Sequence, residues 1–459
     1  MKKKVTLILM VFLMFVVSSC GYRRDIPRDQ GQQQRPQVDE NRPDRLTKSE
    51  KDAVEENING YNLEDDLRMT EMTEEEENRI GFLTQQEKME FIKNLESKSM
   101  NTVLEEFNTM LPETITNEVQ YFKQPITYDY LLITAEGGTV INENPTDGDI
   151  SIGETENLDK LALLQRVEGG EFQGSNIWYR VAFESNGELR DGYIHSSLGT
   201  PRSFQFDKMQ DAINELNQQL VEGELHFISN YKNENGTPPQ EGDAAVDEYG
   251  YRVYHSAPAY ITADINSDYR YVPDGMLVRI LDEQEDFYHV DIPTFGGEFF
   301  VPKQFIDPEV TLSQLNHVVV IDRTQQNQAS FEVGEGGLNL ISYTLSTTGI
   351  PGDFSFETTL GMFKAIVKRD RFEYLQNGTQ EIAGYAPFAI RFTGGAYIHG
   401  VPVAYEEEDG EKVDPGFIEY LHTIGTFPRS NMCVRNFTSH AEFLYNWMDI
   451  ENGAVIVIE

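Results

Sequence analysis

Three observations predict a mainly β chain built from several small domains. From residue 127 onward, short runs of alternating apolar and polar residues are separated by Gly, Asn and Asp turns, the pattern of strands rather than helices. The 459 residues are 39% hydrophobic and 11% aromatic, enough for real cores, and the length suggests about three domains. Helical periodicity is confined to three places: residues 47–112, residues 205–225, and a short stretch from about Ser439 through Trp447.

The N-terminus has a function of its own. Lys2, Lys3 and Lys4 precede an apolar stretch from Val5 to Val17, then Ser18, Ser19 and Cys20, so residues 1–20 have the order of an export signal. The apolar run is too short for a bilayer span, which needs roughly 20 residues. Val17-Ser18-Ser19-Cys20 resembles the bacterial lipobox, which implies lipidation at Cys20 after cleavage and an exported protein anchored to the outer face of a bacterial membrane. Residues 21–46 are rich in Gln, Arg, Asp, Asn and Pro and too poor in large apolar side chains to fold, so they are expected to be a disordered tether.

Residues 47–112 are expected to be a helical segment. Thr84 and Glu87 form a candidate capping box, and Phe91, Ile92, Leu95, Val103, Leu104, Phe107 and Leu111 recur at helical spacing. Two later segments share one plan. In residues 127–200, Leu161–Leu164 leads to Ile177–Phe183, a turn at Asn186-Gly187, and Gly192–Ser197. In residues 250–307, Met276–Leu281 leads to Phe287–Ile292 and then Gly296–Val301. Both read as small barrels and resemble bacterial Src-homology-3-like domains, which implies wall-peptide binding or a spacing role. Between them Met209, Ala212, Ile213, Leu216 and Leu220 mark a linking helix over 205–225.

Composition excludes several functions. With 77 acidic against 37 basic residues the formal net charge is −40, which disfavours binding nucleic acid or anionic lipid through charge. The acidic runs Glu74–Glu77 and Glu406–Asp409 read as solvated faces or loops. Asp264, Asn266 and Asp268 imitate the start of a calcium loop, but Tyr269 stands where glycine is needed and Gly275 where the bidentate glutamate is needed. The eight histidines are scattered and form no metal-ligand spacing, and no phosphate loop or nucleotide fingerprint is present, so a cofactor-free reaction is expected.

Only two cysteines occur, Cys20 and Cys433. If Cys20 carries lipid, Cys433 is left as an unpaired thiol outside the cell, a candidate for reactivity. From residue 315 to 459 the strands Val318–Ile321, Ile341–Leu345, Met362–Ile366 and Ala389–Phe392 surround a set of blocks: Leu345–Gly349, Thr358–Phe363, Ile398-His399-Gly400, Ser430-Asn431-Met432-Cys433-Val434-Arg435, Ala441–Tyr445 and Gly453–Val457. In that order they resemble an L,D-transpeptidase (YkuD-type) catalytic domain, which implies a β-sandwich with a short helix. The resemblance also implies a reaction. A cysteine thiolate attacks the carbonyl of the L-centre of a peptidoglycan tetrapeptide stem, expels the terminal D-Ala, and passes the acyl group to an amine on a second stem.

The residue types suit that chemistry. A free thiol ionises near pH 8.5, so attack near neutrality needs a base or a cation beside it. His399 fits as general base and acid, taking the thiol proton and returning it to the departing amine. By the resemblance, the Gly400 carbonyl orients the second imidazole nitrogen. Backbone N–H groups near Met432 and Cys433 are candidates for an oxyanion hole. Arg435 either holds a stem carboxylate or braces the nucleophile loop, and Ser430 and Asn431 are expected at the substrate. His422 and His440 flank the loop and read as structural, with His422 the nearest substitute for a second loop histidine.

The chain departs from the family pattern at three positions. Asn431 replaces a histidine and keeps hydrogen bonding but cannot carry charge near pH 7. Met432 replaces a glycine, so the loop either runs at ordinary φ or carries strain. Thr359 replaces a proline. Two other classes stay open: a non-catalytic peptidoglycan-binding lipoprotein, and a sortase-like thiol transpeptidase. The second is disfavoured because the residues before Cys433 do not match Thr-Leu-x-Thr-Cys and Arg435 sits too close to the cysteine.

Overall fold

The computed structural model describes residues 83–95 and 101–459, apart from 186, 241, 243, 353, 354, 377, 378, 380 and 409. Cys20, the export signal, the tether and residues 47–82 lie outside these. Helix α1 (Gln85–Asn94) begins with the expected capping box, Thr84 and Glu87 each satisfying the other's backbone N–H. It docks through Lys88, whose buried ammonium pairs with Asp129 at 2.9 Å.

The helical expectation fails at Val103. Residues Val103–Glu106 form a strand, β1, paired antiparallel with Gln165–Val167. Val103, Leu104 and Phe107 fit both periods over so short a run, and the partner that decides between them is some sixty residues away.

After β2 (Ile115–Asn117), an antiparallel sheet is built from β3 (Asp129–Ile133), β4 (Thr139–Asn142), β5 (Ser151–Thr155), β6 (Lys160–Phe172), β7 (Ser175–Ser185), β8 (Glu188–His195) and β9 (Gly199–Ser203). Their order is β5-β4-β8-β7-β6-β3-β9, with β1 on β6. Leu131, Ile133, Leu163, Val181 and Ile194 fill its core.

Helix α2 (Phe206–Glu222) follows the predicted spacing, but it does more than link. Its buried stripe of Phe206, Met209, Ala212, Ile213 and Leu216 packs on Val318, Val320, Ile456 and Ile458 of the C-terminal domain. A second antiparallel sheet contains β10 (His226–Phe227), β11 (Ser256–Tyr260), β12 (Tyr269–Pro273), β13 (Leu277–Gln284), β14 (Phe287–Ile292) and β15 (Gly297–Pro302).

The C-terminal region supplies β16 (His317–Asp322), β17 (Asn327–Gly334), β18 (Gly337–Leu345), β19 (Gly361–Lys364), β20 (Val367–Leu375), β21 (Ile382–Thr393), β22 (Ala396–His399), β23 (Val403–Ala404), β24 (Glu406–Glu408), β25 (Glu411–Val413), β26 (Val434–Arg435), α3 (Thr438–Trp447) and β27 (Gly453–Ile458). One sheet runs β19-β27-β16-β17-β18-β2 and another β20-β21-β22-β26, with β23 on β21. The edge strand β2 enters from residues 115–117, between β1 and the rest of the first accessory sheet, and lies parallel to β18.

The central strands β16 and β27 are buried on both faces. Val318 and Val320 face α2, while Val319 and Ile321 face Ile390, Phe392, Ile398 and Val434 of the other sheet. Burial on two faces is why Val318–Ile321 reads as an unbroken apolar run. The same core continues into the second accessory sheet through Ala257, Val272, Val278 and Phe299, and Met276 bridges to Phe363. The acidic run after Val403 forms an exposed hairpin, β24–β25. Among the described residues no helix is long and apolar enough to cross a membrane.

Candidate active site

Parallel pairing of β22 with β26 builds the site. His399 stands opposite Arg435 and Ile398 opposite Val434. Alternation sends Ile398 and Val434 into the core and leaves His399 and Arg435 on the other face. One residue earlier on each strand, Tyr397 and Cys433 share that face and pack together with Ala389. The pairing thus brings Cys433, His399 and Arg435 together across more than thirty residues of sequence.

His399 is 4% exposed, and its Nδ1 lies 2.6 Å from the Gly400 carbonyl oxygen. A carbonyl only accepts, so Nδ1 carries the proton and Nε2 keeps a lone pair in the neutral ring. Burial lowers the imidazole to about 4, opposed by the Gly400 contact and reinforced by the Arg435 charge, so the ring is neutral at pH 7. His399 thus holds its proton on Nδ1 and presents an unprotonated Nε2.

Cys433 is 8% exposed, and its thiol points to the Gly395 carbonyl oxygen at 3.8 Å. Burial pushes the thiol up to about 11, against the opposing effects of the Tyr397 backbone and Arg435. Among the described residues no hydrogen bond joins Cys433 to His399. Transfer of the thiol proton to Nε2 requires the side chain to turn away from Gly395.

The loop that ends at Cys433 is held by backbone and small side chains. Thr347 exchanges two backbone hydrogen bonds with Arg435, at 3.0 and 2.9 Å, and the Thr348 carbonyl accepts from Arg429 and Ser430. Ser430 Oγ donates to the Cys433 carbonyl. Thr358 Oγ1 accepts from Gly349 N–H at 2.8 Å and donates to the Met432 carbonyl at 2.9 Å. A Cβ on Gly349 would meet the Phe356 carbonyl oxygen at 2.3 Å and the Met432 nitrogen at 2.6 Å. The blocks Leu345–Gly349 and Thr358–Phe363 thus form the bed on which the loop lies.

Met432 adopts φ +65°, the left-handed region that a glycine enters freely, and its side chain is buried. Its N–H donates to the Phe356 carbonyl at 2.8 Å, so that donor, an expected contributor to an oxyanion hole, is already engaged in this structure. Asn431 is exposed and its Oδ1 accepts from Phe356 N–H at 3.1 Å. The peptide groups of Phe356 are thereby clamped to the two residues before Cys433. His440 is buried between Asn436 and Ser342, both at 3.1 Å, while His422 is exposed and offers its carbonyl to Lys160.

Sequence reasoning missed a contribution from the second accessory sheet. Arg252 places its guanidinium 4.1 Å from the centre of the Phe356 ring and against the Met432 sulfur. Tyr231 sits under the Arg391 guanidinium at 4.5 Å and neighbours Tyr397. Arg391 in turn pairs with the buried Asp274 at 2.5 Å. No local pattern around residue 252 marks it, because its partners lie about 100 and 180 positions away.

Residues 316–458 match the family model of the L,D-transpeptidase (YkuD) catalytic domain. Among solved structures, the chain is similar to an L,D-transpeptidase from Mycobacterium smegmatis at 15% identity, covering 40% of this chain and 82% of that one with a TM-score of 0.25. It is also similar to the LD transpeptidase LdtMt1 in complex with imipenem, at 13% identity over 36% of this chain and 74% of that one, with a TM-score of 0.24. A third similarity is to a fused Zn-dependent amidase/peptidase/peptidoglycan-binding domain-containing protein from Clostridium acetobutylicum, at 13% identity, a TM-score of 0.21 and 31% coverage of this chain. The chain spans about half, 51%, of that protein. No curated protein matches the chain.

Proposed function

We propose that residues 316–458 are an L,D-transpeptidase acting on peptidoglycan stem peptides through a cysteine acyl-enzyme. The observation that carries this reading is the shared face of Cys433 and His399, with Nδ1 committed to Gly400 and Nε2 left as the base. Cys433 Sγ gives its proton to His399 Nε2 and attacks the stem carbonyl; the Cys433 N–H is the remaining loop donor for the oxyanion. Collapse of the tetrahedral intermediate breaks the bond to D-Ala, whose nitrogen takes the proton from His399. An amine of a second stem then displaces the thiol and completes a cross-link. Arg435 and Ser430 shape the same face, and Asn431 holds the loop to Phe356.

Incubation of the full chain with a carbapenem, followed by intact mass measurement, tests the reading. One stable adduct is expected, absent in Cys433→Ala. A folded protein that acquires no adduct overturns it and favours a non-catalytic wall-binding role, the reading supported by the low exposure of Cys433. The same proposal includes export and lipidation at Cys20, with the accessory sheets as Src-homology-3-like spacers. Radiolabelled fatty acid should enter the wild type and not Cys20→Ala.

A further inference from the structure

Arg252 is a cation without a counterion. The chain carries twice as many acidic as basic residues, yet among the described residues no carboxylate pairs with Arg252. Arg391, which also reaches this region, has its Asp274. A guanidinium has five N–H donors. The structure sets one nitrogen against a thioether, a weak acceptor, and encloses Nε with no partner at all. Withdrawing a charge from water without an opposite charge is costly, and the aromatic faces of Phe356 and Tyr254 offset only part of that cost.

The position of this charge is specific. On one side it touches Met432, the residue bonded to Cys433. On the other, its neighbours lead back to the nucleophile: Tyr254 lies 6.0 Å from the guanidinium and 4.1 Å from the His255 ring, and His255 lies 5.1 Å from Tyr231. His255 also packs on Gly394, next to the residue whose carbonyl receives the Cys433 thiol. Tyr231 and residues 252–255, which precede strand β11, thus form a run of contacts from Met432 to Gly394, and Tyr254 within it is 46% exposed. Lys232 and the paired Arg391 add positive charge that His255 senses, and no acidic group figures among those charges.

We infer that Arg252 is a specificity-determining residue, which binds the free C-terminal carboxylate of the residue expelled from the stem. This rests on the transpeptidase reading for the identity of the peptide. Bidentate pairing with carboxylate is what a guanidinium offers and an ammonium does not. The accessory sheet thereby becomes part of the active site, reading whether the stem ends at the residue to be expelled.

The test uses the full chain and two probes, a tetrapeptide stem ending in D-Ala and the same peptide with its C-terminus amidated. Equilibrium binding is measured on Cys433→Ala, with and without Arg252→Gln or Arg252→Lys. Turnover is measured with Cys433 intact. The free acid should bind at least about tenfold more tightly than the amide, the scale of one charge-assisted hydrogen bond. Arg252→Gln should bring that ratio close to one, with Arg252→Lys in between. The rate of Cys433 alkylation by iodoacetamide should stay within about twofold, because the probe is neutral and reads only the loop. An unchanged acid-to-amide ratio in Arg252→Gln overturns the inference, as does an alkylation rate that falls in parallel with binding, the mark of a purely structural arginine. Failure to bind either peptide also overturns it. Discrimination in binding without turnover supports this inference while sinking the transpeptidase reading; turnover without discrimination does the reverse.

Discussion

Replacing Met432 separates the two consequences of putting methionine where the related pattern has glycine. The side chain is buried in the main core, so Met432→Ala should lose about 2–5 kcal/mol, the usual cost of truncating a buried methionine. The backbone, at φ +65°, costs a non-glycine residue about 1–2 kcal/mol. Alanine keeps that penalty, and Met432→Gly relieves it while adding about 0.5–1 kcal/mol of unfolded-state entropy. The glycine variant should therefore be more stable than the alanine variant by about 1 kcal/mol, with both below wild type. Urea unfolding followed by Trp447 fluorescence, in a Trp178→Phe background, reads the relevant domain because Trp447 stacks on His317 at 4.3 Å. An alanine variant as stable as the glycine variant would refute the strain argument. A loss below about 1 kcal/mol in both would refute the buried-anchor argument.

Further outcomes follow from the loop and its supports. Gly349→Ala places a Cβ against two backbone atoms, so the loop must shift, and carbapenem acylation should fall on the order of 100-fold while secondary structure by circular dichroism is retained. With the thiol at about 11 and the imidazole at about 4, the resting pair is uncharged at pH 7. Iodoacetamide alkylation should thus climb steadily from pH 7 to 10, and a plateau below pH 7 would indicate a thiolate–imidazolium pair instead. Lys160, buried on β6 and bonded to the His422 carbonyl at 2.7 Å, is lowered by burial to about 7. The unfolded chain binds that proton up to about pH 10.5, so stability should rise from pH 7 to 8.5 by up to about 1.4 kcal/mol per unit. Urea midpoints for Lys160→Met should lose that slope; an unaltered slope would assign it elsewhere.

What the chain alone disclosed was whatever short-range pattern decides. The α2 stripe needs only a spacing of three and four, the capping box at Thr84 needs only four consecutive residues, and the apolar runs at Val318 and Ala454 announce strands covered on two faces. Cys433 and His399 were legible as candidates because few residue types carry thiol and proton chemistry, and Gly400 only through the resemblance. The rest depends on partners distant in sequence. Val103–Glu106 is a strand because Gln165–Val167 receives it, and the Met432 N–H is occupied because Phe356 reaches it. Arg252 acquires meaning only when the second sheet folds against the loop at residue 432.

Strand β2 carries a last implication for how the molecule comes into being. Its three residues are made early and then wait through the assembly of both accessory sheets for β18, whose Leu338–Leu340 they flank. A fragment trimmed to start at residue 315 would be born with a raw sheet border and, lacking α2, a greasy flank as well. Such a truncation invites self-association. Vectorial synthesis, for this protein, must close a loop of more than two hundred residues, from β2 to β18, before that border is covered.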